Sequence, residues 1–409
     1  MPKRVLILSD YIMAPSFSPR LTSLIHYLSE NGWQCTLATD NLAGQEFKTS
    51  LCPQVNMMYL PANLSSLCRI YKRLADKLFN ARERQFSQLL ATTFKPTDFD
   101  LIFCSTYYYF PLATAAKLSH LWHIPFIADV RDIAEQWGKT PYFTSPLPNI
   151  FGLEKLLSRA YEKRNIRRRN NFLKQATAVS TVSPWHQQFL QQQTSAPVSL
   201  IYNGFDEREF APIDKPTSVF RIAFFGRLIN PLLRRPEMLF DAVGQLIKEN
   251  KIPPDKLSID FYCEPEYATY LQQQAAKYGV ANLLHLPAFI ARSEVKNAVA
   301  ETSILLALGA PASEQQHGIL GTKVFEAIGS EKPFMLIPSD EDDLAKLIAD
   351  TNIGIAARTS EDIKTFIYNI YKEWASNGFT RRAIRDKSRF TRRYQAQQFE
   401  QLFSSFLHE

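Results

Sequence analysis

Strand and helix signals alternate along nearly the whole chain of 409 residues. Short apolar runs at residues 4–8, 101–105 and 221–225 are separated by longer segments whose apolar residues recur at helical spacing, as in Pro19–Glu30. Alternation of this kind is typical of α/β domains that are built on parallel sheets. The pattern therefore predicts an α/β protein made of Rossmann-like domains.

The predicted strands fall into two series, separated by a Pro-containing segment at residues 205–216. The first series comprises residues 4–8, 34–38, 101–105, 125–129, 178–182 and 198–202, and the second comprises residues 221–225, 257–262, 283–286, 303–307, 334–337 and 354–356. We therefore divide the chain into an N-terminal Rossmann-like domain (1–205), a C-terminal one (206–385) and a C-terminal helix (386–409). Residues 380–407 have a helical, basic pattern with no strand after them.

Composition narrows the class of protein without selecting a function. The hydrophobic share of 45% and charged share of 21% are typical of globular domains. The chain has no uninterrupted apolar run of roughly 18 residues, the length that spans a membrane. Five scattered cysteines without CxxC spacing fit a reducing, cytoplasmic compartment. The net charge of +7 is compatible with nucleic acid, an anionic membrane or phosphorylated substrates.

The loops that follow the predicted strands are where ligands should bind, because open parallel sheets bind ligands outside the carboxyl ends of their strands. The first such loop, residues 10–20, contains no glycine. A dinucleotide fingerprint needs glycine for close approach to pyrophosphate, so a nicotinamide-dependent oxidoreductase is disfavoured. Arg20 lies at the start of the following helix, where it is either a solvated residue or a ligand-binding one.

A polar cluster, Asp-Val-Arg-Asp at residues 129–132, follows a strongly apolar strand. Asp129, Arg131 and Asp132 are candidates for an active site, since two acids and a guanidinium end one strand. The alternative is an ion-paired loop in which Arg131 and Asp132 satisfy each other.

A basic loop follows the first strand of the second series. Gly226 allows close approach of a ligand, and Arg227, Arg234 and Arg235 could clamp a diphosphate with paired hydrogen bonds. The alternative is a basic surface loop.

A glycine-punctuated loop at residues 318–321 leads into a short predicted helix. The first turn of a helix offers unpaired N–H groups and a partial positive charge, which suit a phosphate, and Lys323 adds a full charge. Thr322 and Glu326 can share one face of that helix. A carboxylate suits a sugar hydroxyl, so phosphate and ribose together indicate a nucleotide. The alternative is an ordinary loop-to-helix junction with a solvated Glu326.

Two further charged features have structural interpretations. The acids at residues 340–343 are expected to cap a helix rather than to bind a metal. The basic stretches at residues 69–79 and 163–174 could lie on an anionic membrane, or could be solvated helix faces. Nucleic acid is disfavoured as a partner because no known binding module is present.

Taken in order, these motifs resemble the GT-B glycosyltransferases of group 1, or family 4, as found in polysaccharide assembly. The resemblance covers nearly the whole chain. It includes the D-x-R-D cluster, Thr-Val-Ser at 181–183, Asn-Gly-Phe-Asp at 203–206, the Gly-Arg-Leu loop at 226–228, and Gly-Thr-Lys-Val-Phe-Glu-Ala at 321–327 followed by Lys332-Pro333. The family's fold implies two Rossmann-like domains facing across a cleft, with a C-terminal helix packing back on the N-terminal domain.

The resemblance also implies a role for each matching residue. Arg227, Lys323 and Arg235 would bind the diphosphate of a nucleotide sugar in the C-terminal domain. Gly226, Gly321 and Thr322 would complete that binding, and Glu326 would hold the ribose. Such enzymes retain anomeric configuration and need no cofactor or bound metal. The acceptor would bind the N-terminal domain, through Arg20, Arg131, Asp129 and Asp132.

Two departures from the family pattern stand out. The family has an acid eight residues before the position of Glu326, and here that residue is Gly318; Glu314, four residues earlier, is the nearest replacement. Many members have a histidine where this chain has Arg131. Arginine cannot act as a base, so Asp129 or Asp132 is expected to orient the acceptor hydroxyl.

The resemblance thus implies a retaining, metal-independent glycosyltransferase that moves a sugar from a UDP- or GDP-sugar to a glycan. The acceptor is expected to be lipid-linked, and the enzyme to be cytoplasmic or peripheral on the inner face of a membrane, in cell-surface polysaccharide or glycoconjugate biosynthesis. The alternative, motivated by Gly318, is a non-catalytic GT-B-like subunit that binds nucleotide sugar or serves as a scaffold.

Overall fold

The chain forms two compact α/β units in a computed structural model that describes residues 2–10, 19–40, 56–60, 76, 79–107, 109–138, 154–228 and 234–407. Unit 1 comprises residues 1–136, 141–202 and 392–409, and unit 2 comprises residues 137–140 and 203–391. Each unit contains a parallel sheet with helices around it. The predicted fold class of two Rossmann-like domains is confirmed.

Unit 1 is built on a seven-stranded sheet in the order β3-β2-β1-β4-β5-β6-β7, in which every described pair is parallel. The chain order reverses between β1 and β4, which opens a crevice at their carboxyl ends. The strands are β1 Arg4–Ser9, β2 Gln34–Asp40, β3 Asn56–Leu60, β4 Leu101–Thr106, β5 Phe126–Val130, β6 Ala178–Thr181 and β7 Val198–Leu200.

Both faces of this sheet are buried, so its central strands read as continuous apolar runs. In β1, Leu6 and Leu8 join one apolar cluster, whereas Val5 and Ile7 join the other. This alternation follows from the two-residue repeat of a strand. The helices of the unit before the linker are α1 Pro19–Glu30, α2 Ala81–Thr93, α3 Leu112–Trp122, α4 Glu154–Leu173 and α5 Pro184–Gln191.

Unit 2 repeats the same winding on a six-stranded parallel sheet in the order β10-β9-β8-β11-β12-β13, and its reversal lies between β8 and β11. The strands are β8 Phe220–Phe225, β9 Leu257–Tyr262, β10 Leu284–His285, β11 Ile304–Leu308, β12 Phe334–Ile337 and β13 Gly354–Ala356. The helices are α6 Glu237–Lys248, α7 Ala268–Lys277, α8 Arg292–Ala300, α9 Thr322–Ser330, α10 Asp343–Thr351 and α11 Ser360–Asn377.

The last helix, α12 (Arg392–Ser404), returns to unit 1. Phe399 and Phe403 are fully buried there, with ring centroids 5.2 and 5.1 Å from that of Phe103 on β4. The Trp33 Nε1–H group donates a hydrogen bond of 3.0 Å to Glu400. The expected packing of a C-terminal helix on the N-terminal domain is thus present within unit 1.

The helix predicted over residues 380–407 is shorter than expected. Before α12, the backbone N–H groups of Arg382 and Arg385 donate to the carbonyls of Glu331 and Thr351, at 2.8 and 3.0 Å. Thr380 is buried, and its hydroxyl donates to the carbonyl of Ser303 at 2.7 Å. These bonds to other elements of unit 2 replace the bonds that a continuous helix would need.

One strand of unit 1, β3, was not predicted from the sequence.

Candidate active site

In unit 1, the predicted site residues gather at the carboxyl ends of β1, β4 and β5. Asp129 lies in β5, and Arg20 lies in the first turn of α1. The Arg20 guanidinium donates to both oxygens of Asp129, with Nε at 3.2 Å and Nη2 at 2.9 Å. Both residues are buried, with relative exposures of 3% and 1%. The second end nitrogen of Arg20 donates to the carbonyls of Ile201 and Tyr202, both at 2.9 Å.

The Asp129 carboxylate has four donors on its two oxygens. Besides the two from Arg20, the hydroxyls of Ser105 and Ser180 donate at 2.9 and 2.8 Å. Burial alone would raise the pKa of Asp129, but the charge of Arg20 and the hydrogen bonds from Arg20 and Ser180 outweigh it and lower the pKa. Asp129, which lies in β5, is therefore ionised, and its hydrogen bonds connect β5 to β4, β6 and α1.

Asp132 differs from Asp129 because it is half-buried and its partner is neutral. The Gln136 side-chain amide donates to Asp132 Oδ1 at 2.8 Å. Burial raises the pKa of Asp132, and neither this hydrogen bond nor the nearby charge of Arg131 offsets the rise. Of the two candidate acids, Asp132 is thus the more exposed one, and it is hydrogen-bonded to a neutral side chain.

Arg131 contacts a residue that sequence analysis did not select. Its Nη2 lies 3.2 Å from Asp10 Oδ1, and its guanidinium lies 3.9 Å from the ring centroid of Tyr107. Asp10 Oδ2 in turn accepts a hydrogen bond of 2.9 Å from the Tyr107 N–H. Burial raises the pKa of Asp10 despite the charge of Arg131. The one sequence signal that could have identified Asp10 as a site residue is its position directly after the first strand.

In unit 2, the loop after β8 carries exposed arginines. Arg227 and Arg235 are exposed. Among the described residues, the Arg227 guanidinium has no ion pair, although its backbone carbonyl accepts from the Arg234 guanidinium. The adjacent Leu228 N–H donates to Glu264, which follows β9, at 2.9 Å. Glu264, another residue that the sequence did not reveal, therefore fixes this loop.

Gly226, after β8, and Gly321, before α9, are glycines that the fold does not require. A Cβ added to Gly226 would meet the Phe224 ring at 3.6 Å, an ordinary contact, and one added to Gly321 would meet no described atom within 4 Å. Gly321 also has an ordinary φ of −66°. Because neither packing nor backbone conformation demands glycine there, the open space is available for close approach of a ligand.

Helix α9 begins where the sequence predicted, at Thr322, with Gly321 as its N-cap residue. The Lys323 ammonium group contacts Glu326 Oε2 at 2.8 Å. The Lys323 side chain is 38% exposed, whereas that of Glu326 is 7% exposed. A cation and a carboxylate thus lie side by side near the start of α9, the first α-helix after β11 in the chain.

Gly318, where the family pattern has an acid, has a left-handed φ of +65°. This conformation disfavours a residue with a side chain. The Gly318 N–H donates to Asp342 Oδ2 at 2.9 Å, and His317 Nδ1 lies 3.2 Å from the same oxygen. Glu314 lies in a single 3₁₀ turn upstream and is partly buried.

The acids at residues 340–343 lie around the start of α10. Asp340 accepts hydrogen bonds from the N–H groups of Leu344 and Ala345 at 3.2 and 3.0 Å, so it caps α10. No group of three or more His, Cys, Asp or Glu side chains within the described part of the chain is arranged to hold a metal. No helix in the described ranges is long and apolar enough to cross a membrane.

Of the two basic stretches, residues 69–79 lie outside the described residues except for Asp76 and Phe79. Residues 163–174 lie in and just after α4. Arg169 is fully buried and pairs with both oxygens of Glu135 at 2.7 and 2.8 Å, and Arg168 pairs with Glu83 at 2.6 Å. Two of the six basic residues of this stretch therefore form ion pairs with glutamates of unit 1.

Unit 1 is similar in sequence to a known family. The family model for Glycosyltransferase Family 4 matches residues 20–209. The match includes the described residues of unit 1 from Arg20 to Tyr202, and with them the Asp129–Asp132 cluster. No curated protein matches the chain in sequence.

Solved structures share the GT-B fold over the full chain. Sucrose-phosphate synthase from Thermosynechococcus elongatus is 13% identical, with a TM-score of 0.62 and 98% coverage of each chain. A glycosyltransferase from Rickettsia africae is 11% identical, with a TM-score of 0.62 over 100% of this chain and 99% of that one. The lipopolysaccharide outer core galactosyltransferase WaaB is 12% identical, with a TM-score of 0.59 and coverages of 98% and 99%. The fold is thus that of the GT-B glycosyltransferases, and the sequence of residues 20–209 matches the family model, as the sequence resemblance predicted.

Proposed function

We propose that this chain is a retaining glycosyltransferase that moves a sugar from a UDP- or GDP-sugar to a hydroxyl of a lipid-linked glycan. The observation that carries the proposal is the arrangement in unit 2. Strands β8 and β11 are neighbours in the sheet, and their carboxyl ends lead to two glycines that the fold does not need, to the exposed Arg227 and to the start of α9. Cations, open backbone and a helix N-terminus together fit a diphosphate.

The chemistry follows from the charge that develops when a nucleoside diphosphate leaves. The bond between the sugar and the diphosphate breaks, and negative charge accumulates on the phosphate oxygens. Preorganised cations stabilise that charge, and we assign this role to Arg227, Lys323 and Arg235. Backbone N–H groups after Gly226 and Gly321 and the Thr322 hydroxyl add hydrogen bonds.

The rest of the donor is assigned to carboxylates. Glu326, beside Lys323, is assigned to the ribose hydroxyls, since a phosphate and the ribose that bears it are adjacent in a nucleotide. Glu314 is assigned to the donor sugar. This arrangement uses cations of the protein for the diphosphate, so we expect the rate to be unchanged by a chelator. A fall in rate that Mg²⁺ restores would contradict that expectation.

For the acceptor side, the residues of unit 1 divide into two roles. Asp132 is assigned to orient the acceptor hydroxyl, because its carboxylate is half-buried and has a neutral partner. We assign Asp129 and Arg20 to the frame of the site, since their hydrogen bonds are made with each other and with β4, β6 and the chain after β7. Arg131 borders the acceptor from the Tyr107 side.

A lipid-linked acceptor and a cytoplasmic, membrane-peripheral location complete the proposal. On α4, Leu156 and Leu157 are 65% and 41% exposed, and Lys163 and Arg167 are exposed further along the helix. Exposed leucines beside cations suit an anionic bilayer. Sedimentation with vesicles of phosphatidylglycerol tests this assignment. Equal sedimentation with neutral phosphatidylcholine vesicles would contradict it.

The enzyme and the non-catalytic alternative differ in one measurement. Lys323→Ala should lower kcat/KM for release of nucleoside diphosphate by about 10²–10³-fold, the cost of removing one donor at a developing oxyanion. Lys346→Ala, at an exposed lysine of the neighbouring helix α10, is the matched control and should leave the rate unchanged. Absence of turnover by the unmodified chain with any UDP- or GDP-sugar and membrane extract would refute the enzyme. A cellular phenotype that survives Lys323→Ala would favour a scaffold.

A further inference from the structure

Asp10 is a half-buried acid to which the proposed chemistry has given no role. It follows β1 at the point where the strand order reverses between β1 and β4. Its side chain is 16% exposed, and its two oxygens divide their contacts. Oδ2 accepts from the Tyr107 N–H at 2.9 Å, which ties it to the end of β4, and Oδ1 contacts Arg131 at 3.2 Å, which ties it to the chain after β5.

Arg131 carries one positive charge and has acids nearby on two elements. The direct contact that the structure records goes to Asp10, and stacking on the Tyr107 ring at 3.9 Å holds the guanidinium plane on that side. Asp132, the next residue along the chain, receives its recorded hydrogen bond from the neutral amide of Gln136 instead. The arginine is therefore ion-paired with Asp10, directly after β1, whereas Asp132, its neighbour in the chain, is hydrogen-bonded to Gln136.

We infer that Asp10 is a positioning residue of the acceptor site: by taking the contact with Arg131, it leaves the Asp132 carboxylate to Gln136 and to the acceptor hydroxyl. The inference rests on the proposed function of Asp132. A carboxylate paired with arginine has fewer lone pairs for a ligand and holds its own charge more tightly. Asp10 thus protects the hydrogen-bonding capacity of its neighbour without touching substrate.

The titratable groups around Asp10 and Asp132 come from three elements of unit 1. Burial raises the pKa of both Asp10 and Asp132, and the nearby charge of Arg131, which lowers each pKa, does not offset the rise. With Asp10 neutralised, the whole charge of Arg131 would act on Asp132, and its pKa would fall. The groups that face the pair are Arg82 and Glu83 from α2, Cys104 and Tyr107 from β4 and its end, and Asp129 and Arg131 from β5 and its end.

The test compares Asp10→Asn with Asp10→Glu, which keeps the charge. For Asp10→Asn we expect kcat/KM for the acceptor to fall about tenfold, as expected when one charged contact is misdirected, while the donor KM stays unchanged. The acid limb of the pH–rate profile should move to lower pH by about one unit. Asp10→Glu should keep the acid limb of the unmodified enzyme.

Two results would overturn the inference: an acid limb that stays in place in folded Asp10→Asn, or the same shift in Asp10→Glu. If Asp10→Asn does not fold, a carbon-13 NMR titration of the aspartate carboxyls in the unmodified protein and in Asp132→Asn decides. The signal lost in Asp132→Asn must titrate above the usual aspartate range. This measurement does not depend on turnover, so an inactive chain would count against the proposed function alone.

Discussion

The two sheets have the same winding, yet the charged groups at their carboxyl edges are organised in opposite ways. In unit 1, Arg20 and Asp129 are buried and bind each other. In unit 2, Arg227 and Arg235 are exposed, and the Lys323 side chain is 38% exposed. A rigid, internally satisfied edge suits the orientation of a hydroxyl, whereas exposed cations suit a polyanion that brings its own negative charge. The two sheets thus share one fold and differ in whether the charged side chains at their carboxyl edges are buried with a protein partner or exposed.

The largest effect is expected from breaking the buried pair in unit 1. Asp129→Asn leaves the Arg20 charge buried without its partner, which typically costs about 3–5 kcal/mol. We expect a lower thermal midpoint for the unfolding of unit 1, measured by circular dichroism. Glu30→Gln, at a pair whose glutamate is 49% exposed, is the control and should change stability by less than about 1 kcal/mol.

The pH dependence of this difference has a definite sign. The pKa of Asp129 is lowered in the folded chain, so its ionised form stabilises the fold above the ordinary aspartate pKa. That contribution is lost as the pH falls through the folded pKa. The gap between the unmodified protein and Asp129→Asn should therefore be constant near neutral pH and narrow below about pH 4. A gap that widens in acid would contradict the buried ion pair.

A smaller and different effect is expected at the exposed arginine of unit 2. Arg227→Ala removes no recorded ion pair of the described chain, so stability should stay within about 0.5 kcal/mol. The affinity for UDP or GDP should fall by about tenfold or more, since a charged hydrogen bond contributes about 1.5–3 kcal/mol. Calorimetric titration measures this, with Lys346→Ala as the control. If Arg227→Ala instead lowered stability and left the nucleotide affinity unchanged, Arg227 would have a structural role, as Arg20 does in unit 1.

The smallest effect is expected at Gly318. Gly318→Ala forces a side chain into the left-handed region at φ +65°, at a cost of about 1 kcal/mol. Gly321→Ala, at an ordinary φ of −66° with open space for Cβ, should leave stability nearly unchanged but weaken nucleotide binding. Thermal midpoints and titrations of both variants separate a glycine that shapes the backbone from one that admits a ligand. Equal destabilisation by both would remove the distinction.

Local sequence signals were sufficient for most elements of both sheets and for the start of α9, because strand runs, helix periodicity and N-terminal caps depend on neighbouring residues. They were insufficient for residues 380–391, whose backbone bonds to distant carbonyls override a helical pattern. They were also insufficient for the roles of charges. That Arg20 would pair with Asp129, 109 positions away, depends on strand order rather than on any motif.

The same limit applies to Arg131 and Asp10. The sequence placed Arg131 beside Asp132 and offered their mutual pairing as the alternative to an active site. The structure gives Arg131 a contact with Asp10, 121 positions away, and gives Asp132 a contact with Gln136. The register of parallel strands brings Asp10 and Arg131 together, and register is a property of the assembled sheet.

The return of α12 to unit 1 has a consequence for synthesis. Phe399 and Phe403, which fill the apolar space against Phe103, are translated after residues 203–391 of unit 2. Domains generally fold as units, in order from the N-terminus, during synthesis. Here the whole of unit 2 can emerge from the ribosome before unit 1 receives these two aromatic rings. Unit 1 is thus completed only after unit 2 has been translated, and until then its unfilled aromatic face is what a chaperone would meet on the nascent protein.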